Sequence, residues 1–335
     1  MKILVTGGLG YIGSHVSVLL LEKGYEVIIV DNLDNSSISV LEGIKKITNL
    51  SPVYEKLDVR DHDQMELLFS KHNDLDGVIH FAAYKSVSES VKNPLKYYDN
   101  NVLGFINLYN LIKERKIPLI FSSSATIYGD ADSVPIKENA PIKEAFSPYG
   151  KTKQICEEII RDTTKYNSSV KSVVLRYFNP IGAHPSGLIG ELPNGEPQNL
   201  IPFITQTLIG KRNKLMVFGN DYSTEDGTCI RDYIDVMDLA EAHIRSLEFI
   251  LDSKNDKNFE VINIGTGKGH SVLQIIEVFE KVTKKKLNYD IISRRQGDVP
   301  VSYADCSKAK EVLGWASKLT IEDSIASSWN WEKNN

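Results

Sequence analysis

The stretch Thr6-Gly7-Gly8-Leu9-Gly10-Tyr11-Ile12-Gly13 follows the apolar run Ile3–Val5 and opens a segment that is typical of a helix. Gly7, Gly10 and Gly13 form a G-x-x-G-x-x-G pattern. Glycines at this spacing allow a tight turn and a close approach of the backbone to a pyrophosphate. The helix N-terminus then offers free N–H groups and a partial positive charge to the phosphates. This stretch predicts a dinucleotide-binding strand–turn–helix.

An aspartate placed after the second apolar run indicates which dinucleotide binds. Asp31 follows Val27–Val30, where its carboxylate can accept both adenosine ribose hydroxyls and would repel a 2′-phosphate, so NAD is predicted rather than NADP. A turn aspartate that begins the next loop is the alternative interpretation. Asp58, after the third apolar run, is either an adenine contact or a residue that precedes a helix N-cap.

A second glycine-rich stretch, Gly265-Thr266-Gly267-Lys268-Gly269, also follows a predicted strand and precedes a predicted helix. Its glycine spacing differs from that of the first stretch, and no acid follows at the end of a next strand. We therefore interpret it as a turn and a helix N-cap.

Apolar, β-branched runs alternate with segments long enough for helices through the first half of the chain. The runs are Ile3–Val5, Val27–Val30, Val53–Leu57, Val78–Phe81, Ile117–Ser122 and Val173–Arg176. Strands that are apolar along their length suit a sheet covered on both faces, so we predict an α/β fold with a Rossmann-type doubly wound parallel sheet. Proline and glycine become frequent from about Asn179, and shorter elements follow, which indicates a smaller C-terminal α/β substrate domain. We predict an NAD-binding domain of residues 1–180 plus about 236–262, and a second domain of residues 181–235 plus 263–335.

The composition excludes several classes of function. The chain has 335 residues, 41% hydrophobic and 25% charged, which is typical of a globular protein. Lys plus Arg number 39 against 44 Asp plus Glu, and a net charge of −5 argues against nucleic-acid and membrane partners. The longest apolar stretches, such as Val16–Leu21, are too short for a membrane span. The three cysteines, Cys156, Cys229 and Cys306, lack metal-ligand spacing, so we expect no metal site and a reducing, cytoplasmic location.

A tyrosine and a lysine four residues apart begin a predicted helix. Ser147 suits the N-cap of that helix and Pro148 its first position, so Tyr149 and Lys153 share one face. A lysine ammonium, the helix N-terminus and a positive nicotinamide ring each favour the phenolate of Tyr149, whose ordinary pKa is about 10. Ser124 ends the preceding strand, where ligands bind such sheets, and can hydrogen-bond the same substrate hydroxyl. These three residues are the predicted catalytic group, with Tyr149 as the base.

The glycine turn, Ser124 and Tyr149-x-x-x-Lys153 resemble the extended short-chain dehydrogenase/reductase superfamily. Within it, the chain is similar to the UDP-glucose 4-epimerases from about residue 1 to 331. The motifs that carry this resemblance are TGGLGYIGSH (6–15), DNL (31–33), HFAAYKSVSES (80–90), YYDNNV (97–102), FSSSATIYG (121–129), SPYGKTK (147–153), LRYFNPIGAHPSG (175–187), TEDGTCIRDYI (224–234) and RRQGDVP (294–300).

The resemblance implies binding residues along the whole chain. Besides the glycines, Ser124, Tyr149 and Lys153, the NAD contacts that it implies are Tyr11, Ile12, Asp31, Asn32, Leu33, Asp34, Asn35, Ser36, Asp58, Val59, Phe81, Ala82, Ala83, Tyr84, Lys85, Asn100 and Phe178. Besides Ser124 and Tyr149, the nucleotide-sugar contacts are Asn179, Asn199, Leu200, Met216, Val217, Phe218, Arg231, residues 295–298 (Arg295 and Asp298 above all) and Ser302. Arginines suit a diphosphate because they donate forked hydrogen bonds, although Arg231 and Arg295 also suit surface ion pairs. Phe218 can stack on uracil or belong to the core.

The implied reaction is reversible inversion at C4 of a UDP-hexose through a 4-keto sugar, with tightly bound NAD, as in galactose metabolism. A nucleotide-sugar 4,6-dehydratase would share the first oxidation, but relatives of that kind carry an Asp-Glu pair where this chain has Ala125 and Thr126, which cannot catalyse elimination. A non-catalytic NAD-binding regulator is the other alternative. The presence of Ser124, Tyr149 and Lys153 argues against it.

Two finer expectations concern assembly and substrate range. The resemblance implies a homodimer through helices near 95–115 and 149–165, and Tyr109, which also has a lysine four residues on, is interpreted there as core or interface. The resemblance also places Ser302 beside the hexose, where relatives with a bulky tyrosine accept only glucose and galactose. A small serine leaves room for an acetamido group, so UDP-GlcNAc and UDP-GalNAc are expected substrates, unless Tyr303 fills that space.

Overall fold

The computed structural model describes residues 1–167, 169–295 and 297–335. The strands are β1 (Lys2–Thr6), β2 (Glu26–Val30), β3 (Val53–Glu55), β4 (Gly77–His80), β5 (Leu119–Ser124), β6 (Ser172–Tyr177), β7 (Asn179–Ile181), β8 (Leu215–Phe218), β9 (Ile230–Asp235), β10 (Phe259–Ile264), β11 (Gly269–Ser271), β12 (Tyr289–Ile292) and β13 (Val301–Ser302). The helices are α1 (Tyr11–Glu22), α2 (Ser39–Thr48), α3 (His62–Lys71), α4 (Val87–Lys92), α5 (Pro94–Tyr97), α6 (Gly104–Arg115), α7 (Pro148–Tyr166), α8 (Leu200–Leu208), α9 (Val236–Leu251), α10 (Val272–Thr283), α11 (Ser307–Leu313) and α12 (Ile321–Asn334). None of the helices in the described part of the chain has the length and apolar character that a membrane crossing requires.

A parallel sheet of seven strands, in the order β10-β6-β5-β4-β1-β2-β3, organises the described residues. Ile3 in β1 lies in register with Val27 of β2 on one side and with Gly77 of β4 on the other. The chain therefore winds outward in both directions from β1, and the cleft at the carboxyl ends of β1 and β4 is the point where such sheets bind ligands. This arrangement confirms the predicted Rossmann-type α/β fold.

Helices cover both faces of the large sheet. Ile3 and Val5 pack into an apolar core with α1 and α9, whereas Leu4 packs into a second core with α3, α6 and α7. Because both faces are buried, most positions of a central strand are apolar, and the polar residues lie toward the carboxyl ends of the strands, as Ser122, Ser123 and Ser124 do in β5. This is why the strands appear in the sequence as continuous apolar runs.

The elements after β6 form smaller sheets beside the carboxyl ends of the large one. β9 pairs with β7, β11 and β13, and β8 pairs with β12. α8, α10 and α12 pack on them around a core that includes Ile204, Phe279 and Ile325. The chain then returns to the large sheet, since α9 packs on α1 and β10 pairs with β6. The proposed division into two domains stays a prediction, and β7 crosses its boundary between residues 180 and 181.

Two predicted elements differ in detail. The segment near 95–115 is not one regular helix, because a π-helical turn, Tyr98–Leu103, lies between α5 and α6. This turn directs Asn100 and Asn101 into the protein, where both are buried. The fifth strand begins at Leu119 rather than at residue 117, since Pro118 has no N–H to donate to a neighbouring strand.

Candidate active site

The turn between β1 and α1 packs tightly against neighbouring backbone atoms. Gly7 has a φ of +68°, and a Cβ placed there would lie 2.7 Å from the backbone nitrogen of Ala82. A Cβ on Gly13 would run into the carbonyl oxygen of Gly7, so α1 packs on the turn only with glycine there. Gly10 stands at the N-cap of α1 and offers no side-chain oxygen, so the first N–H groups of the helix are left for a ligand. The turn thus fits a pyrophosphate.

Asp31 is buried beside this turn. Its Oδ2 accepts a hydrogen bond from Leu9 N (3.0 Å), and its Oδ1 accepts from Leu33 N (3.0 Å) and Ser36 Oγ (2.7 Å). These bonds give Asp31 the turn role that was its alternative interpretation. They use three of the roughly four acceptor positions of a carboxylate, so a ribose hydroxyl can still bind.

The other predicted cofactor residues lie around the same edge of the sheet. The Arg60 guanidinium (Nη2–Oδ2, 2.7 Å) and the amide of Asn32 hold the pKa of Asp58 at about 2, so this carboxylate is charged at neutral pH. Lys85 follows β4, and its Nζ lies 5.8 Å from the centre of the Tyr11 ring, at the start of α1. Ile12, Leu33 to Ser36, Phe81 to Tyr84 and Asn100 belong to α1, to the loops after β2 and β4, and to the π-helical turn.

The side chains of two predicted cofactor residues are buried in apolar clusters. Val59 belongs to the core between the large sheet and α3, and Phe178 belongs to a small cluster with Ile127 and Tyr128. Both are 4% exposed. These side chains therefore contribute to the core, although both residues lie next to other predicted contacts in the sequence.

The predicted catalytic residues come together where α7 meets the end of β5. Ser147 Oγ accepts a hydrogen bond from Gly150 N (3.2 Å) as the N-cap, and α7 begins at Pro148 as expected. Lys153 Nζ donates to the carbonyl oxygen of Ser122 (2.7 Å), and the Ser124 hydroxyl lies close enough to the Tyr149 hydroxyl to interact with it. Tyr149 and Lys153 are both buried.

Burial governs the pKa values of this pair. It raises the pKa of the Tyr149 hydroxyl, and the neighbouring Ser124 hydroxyl acts in the opposite direction. Burial lowers the pKa of Lys153 to about 8, while Cys156 and Glu157 act against this change. Lys153 therefore remains mostly protonated at neutral pH and provides the expected positive charge. These protein groups alone do not lower the pKa of Tyr149, so the predicted phenolate requires a further positive charge.

Sequence reasoning missed a buried ion pair behind the catalytic residues. The Arg176 guanidinium donates to the Glu157 carboxylate through Nε (3.1 and 3.2 Å) and Nη2 (2.7 Å), and Ser123 Oγ donates to Glu157 Oε1. Arg176 and Glu157 are 2% and 1% exposed. A signal for both residues was present, because Glu157 follows Lys153 by one helical turn and Arg176 ends an apolar strand, where a buried charge needs a partner.

The positions that a 4,6-dehydratase would need for elimination are occupied differently. Ala125 and Thr126 form the 3₁₀ turn after β5, and Thr126 donates to Ser124 Oγ through its backbone nitrogen (3.2 Å) and its hydroxyl (3.0 Å). Neither side chain is an acid or a base of useful pKa. The turn instead orients Ser124.

The predicted diphosphate and base contacts form a second cluster. Arg295 donates to Asp298 through Nη2 (2.8 Å), and Arg231 Nη2 lies 3.7 Å from the same carboxylate. The Arg295 guanidinium lies 5.6 Å from the centre of the Phe218 ring. Phe218 is 39% exposed, so its interpretation as a core residue is wrong. Both arginines are ion-paired through Asp298, which orients them side by side.

The register of β13 separates Ser302 from Tyr303. Ser302 pairs with Arg231 of β9, whereas Tyr303 packs toward Ile230 and Gly269 on the opposite face. Ser302 therefore shares a face with Arg231, and Tyr303 does not fill that space.

The remaining predicted sugar-nucleotide residues belong to β7, α8 and β8. Asn179 begins β7, Asn199 and Leu200 begin α8, and Met216 is exposed on β8. Val217 is buried in the core, so only its backbone faces the cluster. Gln296, within the predicted 295–298 segment, lies outside the described residues.

Comparisons with known proteins agree with this geometry. Residues 4–328 match the family described as "GDP-mannose 4,6 dehydratase". The UDP-glucose 4-epimerase of Yersinia enterocolitica is 48% identical over 100% of this chain and 98% of its own length. A Stenotrophomonas maltophila UDP-glucose-4-epimerase with bound NAD and formylated UDP-arabinopyranose superposes with a TM-score of 0.96 at 45% identity, covering 100% of this chain and 98% of that one. The Bifidobacterium longum UDP-glucose 4-epimerase in complex with NAD+ and UDP has the same TM-score and identity, with 100% and 99% coverage.

The buried pair behind Lys153 generates a stability prediction. Arg176→Met would leave Glu157 charged and unpaired in the interior, so the free energy of unfolding should fall by about 3–5 kcal/mol. Arg245→Met is the matched control, because Arg245 pairs with Glu241 (2.9 Å) and Glu248 (3.6 Å) at the surface and should cost less than about 1 kcal/mol. Urea denaturation measures both. Equal losses would contradict the importance of the buried pair.

Proposed function

Since the chain belongs to the UDP-glucose 4-epimerase family within the extended short-chain dehydrogenases/reductases, we propose that it interconverts UDP-glucose and UDP-galactose with NAD as a tightly bound cofactor. This activity makes it an NAD-dependent isomerase of galactose metabolism. The observation that carries the proposal is the meeting of Ser124, Tyr149 and Lys153 at the carboxyl end of β5, on the same edge of the sheet as the glycine turn that follows β1.

The residues present fit NAD. The uncapped start of α1 and the Gly7 turn would hold the pyrophosphate, and the remaining acceptor position of Asp31 would hold the adenosine ribose. Lys85, over Tyr11, would add a positive charge near the phosphates. Bound NAD supplies the acceptor for the hydride from C4 and its return to either face.

The protein groups handle the proton. Tyr149 would accept the proton of the C4 hydroxyl and later return it, with Ser124 hydrogen-bonded to the same substrate oxygen. Lys153, held by the Ser122 carbonyl, keeps a positive charge beside the phenol. The charge of the nicotinamide ring would add to that of Lys153 and oppose the effect of burial on the pKa of Tyr149.

Inversion requires the nucleotide to be held while the hexose turns. Arg231 and Arg295 would bind the diphosphate, and the exposed Phe218 would stack on the uracil, with Asn179, Asn199 and Leu200 completing the site. Most of these groups are directed at the nucleotide. The oxidised hexose can therefore rotate about its bond to the diphosphate and receive the hydride on its other face.

Two further parts of the proposal concern assembly and location. In the helical segment near 95–115, Leu95 is 80% exposed and Leu103 is 46% exposed, whereas Leu111 is buried. The apolar residues of this segment therefore divide between the surface and the core. Exposed apolar side chains on α4 to α6 support a homodimer through this face and α7. In the described part of the chain Cys156, Cys229 and Cys306 are free thiols, which supports a cytoplasmic location.

The role of Tyr149 can be tested directly. Purified protein given UDP-galactose without added cofactor should form UDP-glucose, and Tyr149→Phe should lower turnover by ~10²–10⁴, the usual contribution of a positioned base. Bound NAD, followed by its absorbance, should stay in place. Tyr109→Phe is the control. Tyr109 is buried in the middle of α6, and the loss of its hydroxyl should leave turnover nearly unchanged. Turnover of Tyr149→Phe within a few-fold of the parent would exclude it as the base.

Ser302 generates a prediction about substrate range. The parent should also interconvert UDP-GlcNAc and UDP-GalNAc, because a small side chain beside Arg231 leaves room for the acetamido group. Ser302→Tyr should abolish this activity and spare UDP-galactose. Product analysis by chromatography measures both, and a parent inactive on UDP-GalNAc would refute the idea.

The homodimer is tested by sedimentation. At micromolar concentration the protein should sediment as a dimer, and Leu95→Glu should favour the monomer because it places a charge in the proposed apolar interface. A parent that sediments as a monomer would contradict the proposed assembly.

A further inference from the structure

The segment 182–199, called here the strap, crosses from the smaller sheets to the edge of the large sheet where NAD is expected. Its first residue accepts a hydrogen bond from Tyr11 Oη at the start of α1 (Gly182 O, 2.6 Å), and Gln198 accepts one from Ser88 Oγ (2.7 Å). The strap therefore contacts both the start of α1 and helix α4. It ends at Asn199, a predicted nucleotide-sugar contact.

Glu191 lies within the strap and bonds residues on both of its sides. Its Oε1 accepts a hydrogen bond from Lys85 Nζ (2.7 Å) and another from Asn199 Nδ2 (2.6 Å). A residue expected to bind the cofactor and a residue expected to bind the nucleotide sugar thus share one oxygen atom. The Glu191 side chain is 12% exposed, so water competes little for either bond.

The backbone of Glu191 is held as firmly as its side chain. Its carbonyl oxygen accepts a hydrogen bond from Trp331 Nε1 on α12 (3.0 Å), and the preceding Gly190 lies so close to the Trp331 ring that a Cβ would clash. The carboxylate therefore has a rigid support.

We propose that Glu191 couples the two sites, so that a bound uridine diphosphate slows the release of NAD. Lys85 is half exposed, and a free lysine side chain loses considerable rotamer entropy when it is fixed on a phosphate. Glu191 holds its ammonium over Tyr11, at the turn where the pyrophosphate is expected. A nucleotide that fixes Asn199 orients Glu191, and Glu191 in turn fixes Lys85. The inference rests on the proposed function.

The experiment measures exchange of bound NAD for isotope-labelled NAD, with and without saturating UDP. UDP carries no sugar, so no turnover occurs. The parent should exchange more slowly with UDP, by roughly 5- to 150-fold, the usual size of coupling between two sites. In Glu191→Gln the ratio of the two rates should fall below about 2, since a neutral amide keeps the shape but loses the ion pair with Lys85.

Glu196→Gln is the matched control. Glu196 lies on the same strap but pairs with Arg212 (3.2 Å), so its substitution should keep the ratio of the parent. Asn199→Ala approaches the coupling from the other side and leaves the pair of Lys85 with Glu191 in place. At a UDP concentration shown to saturate this variant it should lose the effect of UDP, and it decides the question if Glu191→Gln does not fold.

The ratio separates coupling from a purely structural role, because a loosened strap would speed both exchange rates together. A full effect of UDP in Glu191→Gln or Asn199→Ala would overturn the inference, since UDP would then protect NAD merely by covering it. If the parent is active but its rate of NAD exchange is the same with and without UDP, the inference is overturned as well. A parent that binds neither NAD nor UDP would contradict the proposed function instead.

Discussion

The contact between α7 and the carboxyl end of β5 determines where chemistry can occur in this protein. Tyr149, Lys153 and Glu157 follow one another at four-residue intervals on a single helix face, and they meet Ser124, Ser122 and Ser123. One face of α7 therefore meets three consecutive residues at the end of β5, so the packing of this helix on this strand brings together the proposed base, the proposed cation and the proposed substrate-binding hydroxyl.

The cost of this arrangement is a set of buried polar groups, and the fold satisfies them locally. Lys153 is bound by a backbone carbonyl, and Glu157 is neutralised by Arg176, which also donates to the Tyr128 hydroxyl (3.0 Å). Each group would be strongly destabilising alone, because an unpaired charge in the interior is poorly solvated. Paired, they hold the region around the proposed base Tyr149 in one geometry.

The two halves of the site differ in how they are built. The cofactor side relies on backbone, with glycines that bring the chain close to a phosphate and a helix end without a side-chain cap. The proposed nucleotide-sugar side relies on long side chains, Arg231 and Arg295, oriented by Asp298. A rigid cofactor site suits a cofactor that is regenerated in each turnover. Binding of the nucleotide by side chains suits a reaction in which the sugar must turn. The strap with Glu191 connects the two halves.

The amino-acid sequence by itself determined the parallel sheet, the glycine turn with Asp31, and the helix start that carries Tyr149 and Lys153. These features depend on local patterns: apolar runs for strands buried on both faces, glycine spacing, and capping residues followed by a four-residue interval. Tertiary structure alone decided which neighbours face the site. Val59, Phe178 and Val217 lie beside binding residues in the sequence but face the core, whereas Phe218 is exposed. The pairing of Arg176 with Glu157, the placement of Ser302 with Arg231, and the sharing of Glu191 by Lys85 and Asn199 join residues from separate elements. No local pattern specifies such contacts, because they arise only when strand register and helix packing bring distant segments together.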